Sequence, residues 1–448
     1  MSTLNHMALS TDTPLDASPR SKGSTILTYC IALPLFGRAV FPLARDKAHI
    51  TLASSFTDPQ IAATYLVAAI VTISICTANN LSKPMNRGRV GQIFMLFVAV
   101  CLASSFGSHF LLFSMWRCFE VFLLGVWAVA MIRNTADAGD PSRAIRAFYG
   151  ICVAILIGVF VGLVINPSGA WAMEGDVARL TGTTGYSINP NDIGAIAAIV
   201  AVGCYVRAVE RGSLMYAVTT ALFIVICYVS HSRGSYIALT LGFLAATVML
   251  GRLAHRRPII FLTGLGVTLT VGAAALLSHE IVNFFVSLMT RGHETDSNLD
   301  SFGGRLQVWE FGLQIFREHP FLGTGYGTYP EGLQGGHFHN VFIELLVTTG
   351  TVGTVSYVVF LVTLFATTRR WIGMANPQVV AERIIAADLV TIPAVIIVAN
   401  GASAGAAYFS WDLLGLASVA VASSALMVTS GIRTRERAVQ TPYCNLLR

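Results

Sequence analysis

The stretch GGHFHNVFIELL at residues 335–346 sets His337, His339 and Asn340 directly before an apolar run of helical length. An imidazole titrates near neutrality, so a neutral one at an aqueous interface is matched to taking a proton from a hydroxyl at pH 7. His339 is the first candidate for such a base, with His337 competing two residues earlier. Asn340 offers the plainer reading. It is a good helix N-cap residue, which would leave His339 merely interfacial. Glu344 follows Asn340 by four residues and shares its side of the helix, where it either orients the histidine or lines the helix bundle.

Three arginines could complement that base by binding an anion. Arg233 lies in SHSRGSYIAL, a connection so short that its guanidinium must stay near the end of a bundle; snorkelling or capping competes with a contact to a bound anion. Arg305 follows Gly303 and Gly304 and would open an amphipathic helix, where free N–H groups and the helix dipole favour an anion nearby. Arg179, in ARLTGTTGYSINPNDIG, is a weaker third. In the same stretch Tyr186 and Asn189 are candidate sugar contacts, although Asn189-Pro190-Asn191-Asp192 also reads as a turn and helix cap. Tyr326 is a further candidate contact, in FLGTGYGTYPEGLQGG. Its neighbours Gly323, Gly325 and Gly327 would let backbone approach a ligand closely, but without a flanking strand and helix they are weak phosphate-binding signals.

The elements that must hold these residues are membrane helices. The chain has 448 residues, 54% of them hydrophobic and only 12% charged, with a mean hydropathy of +0.66; soluble domains carry about 25% charged residues. Apolar runs long enough to cross a bilayer predict spans at 24–43, 60–78, 90–108, 110–132, 148–165, 192–209, 214–230, 235–251, 258–278, 340–366, 385–400 and 408–429. The expectation is an all-α polytopic membrane protein of about twelve transmembrane helices, not a β-barrel. Placing both termini in the cytoplasm puts most of the 29 lysines and arginines on the inside, as the positive-inside bias requires. The net charge of +6 then needs no nucleic-acid partner. Arg179, Arg233 and Arg305 fall outside, against the bias, so each needs a local reason.

The predicted organisation is a disordered cytoplasmic tail at 1–23 with no cleavable signal, helices one to nine over 24–278, a large outside loop at 279–339, helices ten to twelve over 340–429, and a cytoplasmic tail at 430–448. The large loop is not featureless. In GGRLQVWEFGLQIFREHP, Leu306, Trp309, Leu313 and Phe316 recur at helical spacing with Val308 and Ile315 nearby, predicting an amphipathic helix ended at His319-Pro320. Residues 166–191 form a second, Gly-, Thr- and Asn-rich connection. Seven of the eight cysteines lie in predicted spans and Cys444 in the tail, so no disulfide framework is implied, and no cysteine or histidine cluster suggests zinc. Within the spans, Arg117 and Glu120 are spaced to pair on one helix face. Asp388 and Asp412 have no cationic partner within a turn, and packing or an interfacial position is preferred for them over ion coupling.

The order of SRGSYIAL at 232–239, GGRLQVWEFGLQIFREHPFLGTGYGTY at 303–329 and HFHNVFIELLVTTG at 337–350 resembles the O-antigen ligase and O-antigen polymerase superfamily, most strongly over residues 180–350. That resemblance implies a GT-C-like glycosyltransferase of the bacterial inner membrane, working on the periplasmic face with an undecaprenyl-diphosphate-linked glycan donor and needing no metal or other cofactor. Arg233, Arg305 and Arg179 would bind the diphosphate and His339 would activate the acceptor, with inversion at the anomeric carbon. Several members place one histidine here, whereas this chain has two. Ligation to the lipid A-core of lipopolysaccharide is the first expectation, because the one very long loop comes late in the chain; a polymerase or a protein O-oligosaccharyltransferase is the alternative. A transporter or flippase is the competing class, and would bring Arg117, Glu120, Asp388 and Asp412 together at mid-membrane depth.

Overall fold

The computed structural model describes residues 22–33, 65–71, 88–174, 177–183, 186–253, 305–328, 338, 340–400 and 410–445. They form helices α1 (Lys22–Tyr29), α2 (Gly88–Ser105), α3 (Leu111–Asp137), α4 (Arg143–Ile165), α5 (Pro190–Arg211), α6 (Leu214–Val229), α7 (Arg233–Leu253), α8 (Arg305–Glu318), α9 (Val341–Ile372), α10 (Val380–Asn400) and α11 (Trp411–Asn445). A helical segment also covers 65–71. Among the described residues, six helices are long and apolar enough to cross a membrane: α3, α4, α5, α7, α9 and the Trp411–Thr429 part of α11. In hydrocarbon every backbone polar group must find its partner within the protein, and helices of this composition meet that demand. The expected span at 258–278 lies outside the described residues, and those at 24–43 and 60–78 are described only in part.

The connection at 166–191 carries two hairpins: β1 (Trp171–Glu174) pairs antiparallel with β2 (Val177–Leu180), and β3 (Gly182–Thr183) with β4 (Tyr186–Ser187). The Thr181 N–H donates to the Ala170 carbonyl and the Ile188 N–H to the Thr181 carbonyl at 2.9 Å each, so Thr181 extends both hairpins. α11 continues past the last expected span, without interruption to Asn445.

α9 is broken. Gly350 has φ 65° and ψ −166°, a conformation outside any helix, so the carbonyls before it and the N–H groups after it lose their helical partners. Residues 320–325 supply replacements. The Thr324 and Gly325 N–H groups donate to the Val347 and Thr348 carbonyls (2.9 and 3.1 Å), while Thr351 and Val352 N–H donate to the Pro320 and Phe321 carbonyls (2.8 and 3.2 Å). Ser104 of α2 adds a hydroxyl donor to the Thr348 carbonyl at 2.6 Å. The glycines of FLGTGYG make close approaches, Gly323 to α9 itself and Gly325 and Gly327 to the α2–α3 region. A Cβ on Gly323 would strike the Thr348 backbone, one on Gly325 would strike Ser108, and one on Gly327 would stand 2.8 Å from the Arg117 stem.

The charged residues of the spans are committed to neighbours. Arg117 pairs with Glu120 at 2.9 Å within α3, as the spacing predicts, and Glu120 is fully buried. Asp388 of α10, which lacks a partner on its own helix, takes Arg207 from α5 at 2.8 Å and the Tyr149 hydroxyl from α4 at 2.8 Å. One turn away Arg383 holds Glu210 of α5 in a second bridge. Asp412 accepts from the Asn400 amide at 2.9 Å.

Breaking one side of a buried ion pair costs about 3–5 kcal/mol, whereas replacing both members with apolar residues is often neutral. Asp388→Ala is therefore expected to lower the thermal midpoint in detergent sharply, and the double change Arg207→Met with Asp388→Leu to recover most of it; equal losses in the two would refute the clamp. Gly350→Ala should also destabilise, by about 2 kcal/mol or more, because alanine is strained at that positive φ and its Cβ would meet the Phe321 backbone.

Candidate functional site

Around the start of α5, the hairpins and the α6–α7 connection meet through one side chain. Arg179, on β2, donates from Nε to the Ser230 carbonyl at 3.2 Å and from Nη2 to the Asn191 Oδ1 at 2.7 Å. The Ser235 hydroxyl donates to the Asn191 carbonyl at 3.2 Å and to Ser232 Oγ at 2.8 Å. Gly194 has no side chain to obstruct this approach, and a Cβ there would collide with the Ser230 and Ser235 hydroxyls. Arg233, the first residue of α7, thus emerges from a turn that Arg179 holds by its Ser230 carbonyl. Asn189 plays the cap role: its side chain accepts from the Asn191 N–H, with Pro190 at the first helical position. Tyr186 is placed by β4 pairing with Thr183.

Sequence reasoning missed His231. It sits between Ser230 and Ser232 with φ 47°, and no other described non-glycine residue has a positive φ. Its ring lies 5.9 Å from that of Tyr228. The signal was present in SHSRG, where a residue wedged between two serines before a helix must turn the chain.

A second assembly joins α8 to the head of α9. Arg305 opens α8, and one turn later the Trp309 indole donates to the Phe338 carbonyl at 2.7 Å. Phe338 is fully buried, and a Cβ on Gly312 would stand 2.7 Å from its ring. The packed face of α8 therefore runs through Trp309 and Gly312, and Leu313, expected on that face, is 37% exposed. Asn340 caps α9, accepting from the Phe342 and Ile343 N–H groups at 2.9 and 3.2 Å. Glu344, also fully buried, accepts from the Phe338 N–H at 3.2 Å. Tyr326, expected as a substrate contact, is wholly buried, edge-on to Phe97 at 6.4 Å, with its carbonyl bound by the Ser114 hydroxyl at 2.7 Å. Burial pushes its phenol well above the ordinary tyrosine value, so it stays protonated. His337 and His339, and the side chains of Arg233, Arg305 and Tyr186, lie outside the described residues.

Both assemblies stand at one end of the bundle. The start of α3 meets the 320–328 segment through Ser114 and Tyr326, while α4 returns antiparallel to α3 and delivers the hairpins that carry Arg179. At the opposite end lie the α3–α4 turn, where Arg146 pairs with Asp140, the Arg207 and Arg383 bridges, and Arg369 and Arg370 in the last turn of α9.

This is a multi-pass helical membrane protein with a polar assembly at the less basic end of its bundle. Residues 218–358 match the model of the O-antigen ligase family (Wzy_C). The match holds α6, α7, α8 and the head of α9, and with them Arg233, Arg305, Tyr326, His337, His339 and Asn340; Arg179, Tyr186 and Asn189 precede it. The chain is also similar to the "Exopolysaccharide production protein ExoQ" of Rhizobium meliloti (strain 1021), 32% identical over 96 residues that cover 18% of this chain and 21% of that protein. The aligned part is thus about a fifth of the relative's length.

Glycine accepts a positive φ without strain and a β-branched residue does not. His231→Gly is expected to leave the unfolding midpoint nearly unchanged, within about 1 kcal/mol, and His231→Val to lower it by about 1–3 kcal/mol. Equal midpoints for the two would show that the turn is not held in the left-handed conformation.

Proposed function

We propose that the protein is a glycosyltransferase of the O-antigen ligase type, moving a glycan from undecaprenyl diphosphate to a sugar hydroxyl of the lipid A-core, with its site on the periplasmic face of a bacterial inner membrane. The observation that carries this reading is the docking of α8 on Phe338. It holds Trp309, one turn along α8 from Arg305, against the backbone of the residue between His337 and His339. The Arg179 and Arg233 assembly stands at the same end of the bundle. The basic opposite end supports a cytoplasmic assignment for that face by the positive-inside bias. The α9 segment from Gly350 to Arg369 would rise about 28 Å, close to the ~30 Å of a hydrocarbon core, which supports an assignment of the break and the α9 head to the outer boundary.

The chemistry asks little else of the protein. A lipid diphosphate leaves as a stable anion, so the catalyst must hold its developing charge, which Arg233 and Arg305 would do with Arg179 organising the turn beside Arg233. His339 would take the proton of the acceptor hydroxyl as its oxygen attacks the anomeric carbon, and direct displacement inverts that carbon. His337 remains the competing base. Tyr186, Asn189 and Asn340 border the site as sugar contacts. The local closure of Arg117, Asp388 and Asp412 onto packing partners weighs against a transporter, whose charged residues would serve a shared central path.

Similarity to an exopolysaccharide production protein favours a second reading, extension of a polysaccharide chain in place of ligation. In vitro transfer with purified protein separates them. Product formed with a lipid A-core acceptor alone supports the ligase, product formed with a second donor molecule the polymerase, and absence of product with every acceptor refutes the enzyme. His339→Ala is expected to lose roughly 10²–10⁴-fold in rate, and Arg233→Ala and Arg305→Ala about 10²-fold or more each. Full activity in His339→Ala would transfer the base to His337. A chelator should leave the rate unchanged.

A further inference from the structure

Phe338 separates the two candidate bases, and its peptide groups are held in an unusual way. Outside regular structure a residue has one N–H and one carbonyl to satisfy, and both are taken here by side chains from different helices. The N–H donates to Glu344 Oε2 of α9 at 3.2 Å, and the carbonyl accepts from Trp309 Nε1 of α8 at 2.7 Å. The ring closes the third side against Gly312. Phe338 and Glu344 are both fully buried, and a buried carboxylate is costly unless it is hydrogen-bonded.

Helix capping does not account for Glu344. In a capping box an acidic residue at the third helical position reaches back to the N–H of the cap residue itself. Glu344 is the fourth residue of α9 and reaches past the cap, Asn340, to Phe338, while Asn340 serves the Phe342 and Ile343 N–H groups. Trp309 likewise exceeds its packing role, because its indole N–H is aimed at the one carbonyl that lies between His337 and His339. We propose that Glu344 and Trp309 are positioning residues that clamp the Phe338 backbone and so hold the flanking histidines in register with the start of α8. The clamp deepens the proposed transferase reading and rests on it for its catalytic consequence. It acts through hydrogen-bond geometry, not charge, and it serves whichever histidine is the base.

The test compares Glu344→Gln, Glu344→Ala, Trp309→Phe and the double variant Glu344→Ala with Trp309→Phe. A glutamine side chain keeps an acceptor oxygen at the same reach, so Glu344→Gln should retain kcat within about threefold with an unmoved pH profile. Misplacing a catalytic group by about 1 Å costs on the order of 10²-fold, so Glu344→Ala and Trp309→Phe should each lower kcat by about that factor while the KM for the lipid-linked donor stays within about threefold. Because both act on one residue, the double variant should be little worse than the poorer single. A wild-type kcat in Trp309→Phe, which keeps an aromatic ring but removes the N–H, would overturn the proposal, as would a Glu344→Gln variant as impaired as Glu344→Ala. Hydrogen exchange supplies a readout free of activity. The Phe338 amide should exchange faster in Glu344→Ala, and an unchanged rate defeats the clamp. Absence of transfer by the wild-type protein defeats the transferase reading instead, so the two failures are separable.

Discussion

A helix interrupted among apolar neighbours must find new partners for the backbone groups it frees, and the break at Gly350 meets this demand from a single source. The 320–325 segment lends two N–H groups and two carbonyls to the two halves of α9. Because those residues directly follow α8, the exchange fixes where α8 ends and restricts where it can lie. The helix then settles with Trp309 and Gly312 against Phe338. A backbone defect, expensive in isolation, thus seats the outer helix over the head of α9.

The same economy appears across the bundle. Arg179 joins a β-hairpin, the head of α5 and the α6–α7 turn through two hydrogen bonds. At the far end Asp388 draws α4, α5 and α10 together through Tyr149 and Arg207. Each is a charged group whose burial would be unfavourable alone and which is satisfied only by side chains remote in sequence. The basic end is closed by carboxylate partners.

Much of this was legible from residue order. Helical composition, the paired Arg117 and Glu120, the cap at Asn340, the turn at Asn189-Pro190 and the amphipathic run ending before Pro320 all depend on neighbours within a few residues, where spacing alone decides geometry. The motif order around Arg233, Arg305 and His339 was equally local, and it pointed to the family whose model matches residues 218–358.

Tertiary structure decided what depends on distant partners. No local pattern could reveal that Arg207 would answer Asp388, 181 residues away, or that Gly323 would meet the broken α9. Tyr326 looked available because its polar, glycine-rich neighbours suggest a surface loop, yet α2 and α3 cover it. Leu313 and Gly312 exchanged roles because the phase of an amphipathic helix is set by the surface it meets, and the Phe338 ring needed a position without a side chain. The sequence determined which residues could do chemistry and that they belong to a membrane bundle, since both follow from composition and short-range spacing. Which backbone groups are held, by whom and against what was decided by packing, since a hydrogen bond between residues far apart leaves no periodic trace in the chain.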